Sequence, residues 1–193
     1  MAGGSWHEGH EVESAAAPDS ADQRTTQRST ALLKLVGDNR FGHTWRAQYI
    51  RQVSDTESSL TSLLGQGRYR STTALEGDDR YEVDLAIAAY EFGSADSWIN
   101  DGVLRGFYEI ASIEQTTLDE RAAARTPASI DRFFSFDQEI AGVELNLWKE
   151  LQGNSVTHRL GFGVEYRERE TEEYRDGLST NCLLYTSPSP RDA

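Results

Sequence analysis

The sequence predicts an all-β protein: an antiparallel up-and-down meander of about seven strands, forming part of a larger transmembrane β-barrel. Three observations predict this fold. Apolar and polar residues alternate along several segments. The connections between those segments alternate between short turns and long polar stretches. Aromatic residues recur near the ends of the segments, as they do at the two edges of a membrane.

The alternation is clearest at residues 81–89. A strand there carries one set of side chains on one face and the other set on the opposite face. The first set is Tyr81, Val83, Leu85, Ile87 and Ala89, and the second is Glu82, Asp84, Ala86 and Ala88.

Six further segments complete the predicted set. In chain order the strands are residues 4–12, 29–36, 44–53, 81–89, 103–114, 140–148 and 158–167. In four of them one face is predicted to be apolar: Trp45, Ala47 and Tyr49; Leu104, Tyr108 and Ile110; Ala141, Val143, Leu145 and Leu147; Leu160, Phe162, Val164 and Tyr166. Ile50 and Phe107 are exceptions that fall on the polar side.

The connections support a barrel. Short turns are expected at residues 37–43, 93–101 and 150–157, and long polar stretches at 13–28, 54–79 and 115–131. Short turns on one side and long loops on the other are typical of outer-membrane barrels. A β-sandwich gives no reason for that alternation.

Aromatic and charged residues refine the prediction. Two interfacial girdles are expected, one beside the short turns (Trp45, Phe92 and Trp148) and one toward the long loops (Tyr81, Phe133, Phe134 and Tyr166). Six charged residues near mid-strand are expected to face a wet or plug-filled lumen: Glu82, Asp84, Glu144, Arg159, Glu165 and Arg167.

Composition argues against one class of partner and agrees with the predicted fold. Of 193 residues, 32 are acidic and 19 are Lys or Arg, giving a net charge of -13. That balance argues against a nucleic-acid partner, which calls for clustered basic residues. The hydrophobic fraction of 37% suits a barrel, because only every second residue of a membrane strand faces lipid.

The two ends of the sequence predict a partial chain. The start has no basic and apolar leader, so no signal peptide is expected. Residues 182–193 resemble a translated sequencing-library adapter. We therefore expect residues 1–181 to be the partial barrel and 182–193 to be a disordered artefact. The single cysteine, Cys182, belongs to that tail, which leaves residues 1–181 without a thiol for a disulfide, nucleophile or zinc site.

No catalytic or metal-binding constellation is predicted, and the chain is not expected to be an enzyme. His7 and His10 are three residues apart on a predicted strand, which directs them to opposite faces. A metalloprotease helix needs two histidines four apart. Cofactor-binding residues are not assigned.

Three segments resemble the haemoglobin/haem (transferrin/lactoferrin) receptor branch of the TonB-dependent receptors. They are Phe134–Leu147, Ser155–Tyr166 and Thr171–Gly177, and residues 7–11 and 31–36 are also similar to strands of that branch. The resemblance covers residues 5–181. It implies the bacterial outer membrane, contact with membrane lipid, and a parent protein that engages the TonB complex and a haem or haem-protein ligand.

The sequence departs from that family in four ways. It has no plug domain, TonB box, closing C-terminal strand ending in an aromatic, or Phe-Arg-Ala-Pro loop motif. Haem is therefore expected as a transported ligand of the parent protein, with no cofactor in this fragment. Two alternatives remain: a passive porin-like outer-membrane barrel, and a soluble β-sandwich or lectin-like binding module.

Overall fold

The computed structural model describes residues 2–10, 22–94, 98–122, 127–153 and 155–180. Most of these residues lie in seven strands: β1 (Ala2–His10), β2 (Gln23–Asp38), β3 (Thr44–Ser59), β4 (Thr72–Phe92), β5 (Asp101–Arg121), β6 (Ser129–Gln152) and β7 (Thr157–Thr180). One 3-10 turn, Gly67–Tyr69, interrupts the connection between β3 and β4. In these described ranges, no helix has the length and apolar character needed to cross a membrane.

All seven strands lie in one sheet, in the order β1-β2-β3-β4-β5-β6-β7, and each is antiparallel to its sequence neighbours. The predicted all-β up-and-down meander is therefore confirmed. Because β1 and β7 are the two ends of the strand order, the sheet is open, as expected for part of a barrel. A β-sandwich would instead divide its strands between two packed sheets.

The strands are longer than the sequence analysis predicted. Residues 13–28, 54–79 and 115–131 were expected to be loops, but parts of all three lie in strands, namely residues 23–28, 54–59, 72–79, 115–121 and 129–131. The predicted strict alternation of connection lengths is also wrong. The connection from Arg121 to Ser129, predicted to be long, is one residue shorter than the connection from Phe92 to Asp101, predicted to be short. Predicted residues 11–12 of the first strand fall outside the described residues.

The physical reason is that apolar alternation ends before the hydrogen-bonded ladder does. Polar residues pair across strands as well as apolar ones do: Thr26 lies opposite Thr56, and their hydroxyls are 3.1 Å apart. Hydropathy therefore marks only the apolar part of each strand, whereas backbone pairing continues into the polar part.

The short turn between β2 and β3 shows how the sequence fixes a connection. The Asn39 side-chain oxygen accepts hydrogen bonds from the backbone N–H groups of Phe41 (2.8 Å) and His43 (3.1 Å). Gly42 has a φ of 78°, a value that residues other than glycine rarely adopt. The two strands thus leave the turn in register, with Asp38 opposite Thr44.

The sheet has almost no core of its own. Leu75 is the only buried hydrophobic residue in the described parts of the chain, while many large apolar side chains are exposed. Apolar burial is the main driving force for folding in water, and an open sheet edge offers unpaired backbone groups to other chains.

We expect the chain to aggregate in dilute buffer and to disperse with strand structure in detergent. Circular dichroism and sedimentation check this, and a cooperatively folding monomer in detergent-free buffer would contradict it.

Candidate membrane-facing surface and polar face

The strand register assigns every side chain to one of two faces, because directly opposed residues of an antiparallel sheet point to the same side. One continuous row runs from Leu35 through Ala47, Ala88, Gly106, Val143 and Tyr166. We call the side that carries this row the apolar face and the other side the polar face.

An uninterrupted belt of uncharged, mostly apolar side chains crosses the apolar face from β2 to β7, and we call it the apolar band. It consists of Leu33, Leu35, Trp45, Ala47, Tyr49, Ala86, Ala88, Tyr90, Leu104, Gly106, Tyr108, Ile110, Ala141, Val143, Leu145, Leu147, Leu160, Phe162, Val164 and Tyr166.

Charged and polar residues define the height of the apolar band. On β6 the band is bounded by Glu139 at one end and Lys149 at the other. On β7 the corresponding residues are Glu168 and His158. The intervening stretch matches the roughly 9–11 residues that a tilted strand needs to cross a bilayer.

Aromatic side chains at the edges of the band turn their polar atoms away from it. The Tyr49 hydroxyl donates a hydrogen bond to the Asp84 carboxylate, and the Tyr108 hydroxyl donates one to Glu139 (3.0 Å). At the opposite edge the Tyr90 hydroxyl lies 2.5 Å from His43 Nδ1. An apolar ring with a hydrated tip is the arrangement that stabilises tyrosine at a membrane interface.

The predicted girdles are therefore only partly right. Trp45, Phe92 and Tyr166 lie on the apolar face, whereas Tyr81, Phe134 and Trp148 lie on the polar face; Phe133 is on the apolar side but beyond the band. The prediction relied on nearness to strand ends and ignored which face each ring points to. A change of one residue in position reverses the face.

The predicted face of β4 is wrong. Leu85 lies opposite Ile50, and Ile87 lies opposite Gln48, which places the most apolar set of this strand on the polar face. The apolar band receives Ala86, Ala88 and Tyr90 instead. Alternation within one strand shows that two faces differ, but only the register shows which neighbours each face joins.

Glu82 and Asp84, predicted to face the lumen, consequently lie on the apolar face just past the edge of its band. Arg51 pairs with both carboxylates, at 3.1 Å from Glu82 and 3.0 Å from Asp84, and Arg80 also pairs with Glu82. The other four charges of that prediction, Glu144, Arg159, Glu165 and Arg167, do lie on the polar face.

The polar face combines ion pairs with a small apolar cluster. Arg46 pairs with Glu91 (3.0 Å) and Arg105 with Glu144 (3.1 Å). Ile50, Leu85, Ile87 and Phe107 adjoin one another in the two rows next to these pairs. The two predicted exceptions to alternation, Ile50 and Phe107, are thus neighbours of Leu85 and Ile87, the β4 residues whose face was predicted wrongly.

Exposure differs between the faces. Along β4 the apolar-face residues Ala86, Ala88 and Tyr90 are exposed, while the polar-face residues Ile87 and Ala89 are half-buried. A sheet that curves toward one face shields that face and exposes the other. This alternation of exposure is what a sheet produces when it curves toward its polar face. A barrel wall with the apolar band on its outer surface has the same curvature.

Small residues make the apolar band uneven. Ala86, Ala88, Gly106 and Ala141 form the floor of an open groove of about 690 Å³ on the apolar face. The rings of Tyr49 and Tyr108 stand beside this floor, because each lies opposite Ala86. Flexible lipid acyl chains can fill such a groove more readily than the flat surface of a protein partner can.

Beyond the band, the far end of the polar face contains a buried carboxylate. Asp119 has no solvent exposure and accepts hydrogen bonds from the Thr72 hydroxyl (2.7 Å) and from Arg121 Nη2 (3.1 Å), with Arg132 Nη2 at 3.5 Å. Burial raises the pKa of the Asp119 carboxyl, but the Thr72 and Arg121 hydrogen bonds outweigh burial and hold that pKa below its usual value.

The histidines of the sequence analysis lie on different rows. His7 pairs with Arg28 and His10 pairs with Thr25. Across the described ranges, no three His, Cys, Asp or Glu side chains are arranged to hold a metal ion. Cys182 and the predicted artefact, residues 182–193, lie outside the described residues.

A scan against models of known protein families finds no match, and a search of curated proteins finds no similar sequence.

Proposed function

We propose that this chain is a segment of the wall of a bacterial outer-membrane β-barrel. The observation that carries the proposal is the apolar band: an exposed belt one bilayer strand high, edged by hydrogen-bonded tyrosines and then by charge. In water such a surface promotes aggregation, whereas its contact with acyl chains is stabilising.

We further propose that the parent barrel is a TonB-dependent receptor that imports haem or another iron-bearing ligand. The sequence resemblance of Phe134–Leu147, Ser155–Tyr166 and Thr171–Gly177 to the haem branch supports this assignment. The polar face supplies charged and hydrogen-bonding groups suited to a lumen, among them the Arg105–Glu144 pair. In this proposal the chain contributes wall and lumen surface, and the parent supplies TonB coupling.

Growth on haem distinguishes an active receptor from a passive porin-like barrel. The complete reading frame containing residues 1–181 would be expressed in a haem-auxotrophic Gram-negative host, with and without functional TonB. We expect growth on haem only when TonB is functional. Growth in both hosts would identify a passive pore, and recovery of the protein in the soluble fraction would identify a binding module. Correct outer-membrane insertion without growth on haem would exclude haem as the ligand.

A further inference from the structure

The far end of the polar face carries an aromatic and arginine cluster that the wall function does not require. A cavity of about 410 Å³ opens there between β5, β6 and β7, and its polar-face lining is Gln115, Thr117, Arg132, Phe134 and Arg175. Gln115, Phe134 and Arg175 form one row across the three strands. Thr117 and Arg132 occupy the next row, where Gly177 has no side chain and leaves room above the sheet.

The two arginines are diagonal neighbours with different supports. The Arg175 guanidinium lies over the Phe134 ring, with Cζ 5.3 Å from the ring centroid, and its Nε contacts Glu173 at 2.6 Å. Arg132 is oriented by the buried Asp119. Because Arg175 is 74% exposed and a guanidinium has five donors, its terminal nitrogens remain accessible to a ligand.

The remaining acidic neighbour is directed away from this surface. Asp176 also borders the cavity. Its carboxylate accepts a hydrogen bond from the Gly177 backbone N–H (2.7 Å) and one from the Tyr174 hydroxyl (3.3 Å), and Tyr174 lies on the apolar side of the sheet. The ring of Phe134 and the two guanidinium groups are therefore the principal recognition groups on the polar face.

We propose that this cluster binds a flat apolar ligand that carries carboxylates, with the ligand body against Phe134 and its carboxylates on Arg132 and Arg175. Guanidinium groups match carboxylates in planar, bidentate geometry, and an aromatic ring supplies a stacking surface. A porphyrin with two propionates has this chemistry. The inference deepens the proposed haem-receptor function and rests on it for the biological ligand. It assigns a contact that holds the porphyrin by its carboxylates, without any ligand to the iron.

Porphyrin titration of the full chain in detergent micelles tests the inference, with empty micelles as the blank. The probe is metal-free protoporphyrin IX, followed by its fluorescence, with the dimethyl ester as the uncharged analogue. We expect Arg175→Gln to weaken binding of the diacid about five- to tenfold and Phe134→Ala to weaken it about fivefold. Arg169→Gln, on the same strand and face but away from the cavity, serves as the matched control and is expected to change affinity less than about twofold.

Three results would overturn the inference. The first is wild-type affinity in both Arg175→Gln and Phe134→Ala. The second is equal affinity for the diacid and the dimethyl ester. The third is ferric protoporphyrin bound more than about tenfold tighter than the metal-free form, since iron ligation would then hold the ligand. Protease protection of the same chain in lipid vesicles separates the two proposals: a protected chain without porphyrin discrimination refutes only the ligand site.

Discussion

Val143→Arg is expected to destabilise the chain folded in a lipid bilayer by about 2–4 kcal/mol. Val143 lies between Gly106 and Tyr166 in the row that crosses the middle of the apolar band. A guanidinium placed there must leave water for hydrocarbon, or pull water and headgroups into the bilayer. Urea titration of folding into vesicles, followed by tryptophan fluorescence, measures the loss.

Asn146→Arg is the matched control for Val143→Arg. It lies on the same strand but on the polar face, where Asn146 already donates a hydrogen bond to Glu144. A guanidinium there can pair with that carboxylate, so we expect a loss below about 1 kcal/mol. Equal losses in the two variants would contradict the assignment of faces on β6.

The second large effect is expected at Asp119. Asp119→Ala removes the acceptor of the Thr72 hydroxyl and the partner of Arg121 and Arg132, and we expect it to cost about 2–3 kcal/mol. The Glu120→Ala variant alters the exposed neighbouring residue and should be nearly neutral. Urea unfolding from micelles measures both, and a loss at Asp119 no larger than at Glu120 would show that the cluster does not stabilise the sheet.

Asp119 also predicts an acid sensitivity. Its pKa is lower in the folded chain than the value of about 3.9 of an unfolded aspartate. The carboxylate therefore contributes its full stability above that unfolded pKa, and the contribution disappears as the pH falls through the folded pKa. We expect the difference in stability between wild type and Asp119→Ala to be constant near neutral pH and to shrink below about pH 4. A difference that persists unchanged into strong acid would contradict the ionic role.

Sequence alone predicted the meander because alternation is a local property of each strand. It could not predict the phase of β4, where the large residues Leu85 and Ile87 outweigh Ala86 and Ala88 in hydropathy but pair with Ile50 and Gln48, respectively, on the polar face. Hydropathy ranks the two sides of a single strand, whereas the sheet is assembled by register, which depends on every neighbouring strand.

The arginine and aromatic cluster was missed for a related reason. Phe134 and Arg175 are far apart in the sequence and become neighbours only through the pairing of β6 with β7. Nothing in the local sequence around either residue gave a reason to group them. The signal that could have found the cluster is the alternation of side chains along each strand. Phe134 belongs to the polar-face set of its strand, and Arg175 shares that face with Arg167 and Arg159.

We propose that the apolar face meets lipid and the polar face does not, and β4 tests this proposal most directly. In a Cys182→Ser background, single cysteines at residues 85–90 would carry a nitroxide in lipid vesicles. Collisions with oxygen and with a water-soluble nickel chelate then report lipid and water. We predict oxygen maxima at residues 86, 88 and 90, and nickel maxima at residues 85, 87 and 89. Oxygen maxima at 85, 87 and 89, the phase that hydropathy alone predicts, would contradict the account.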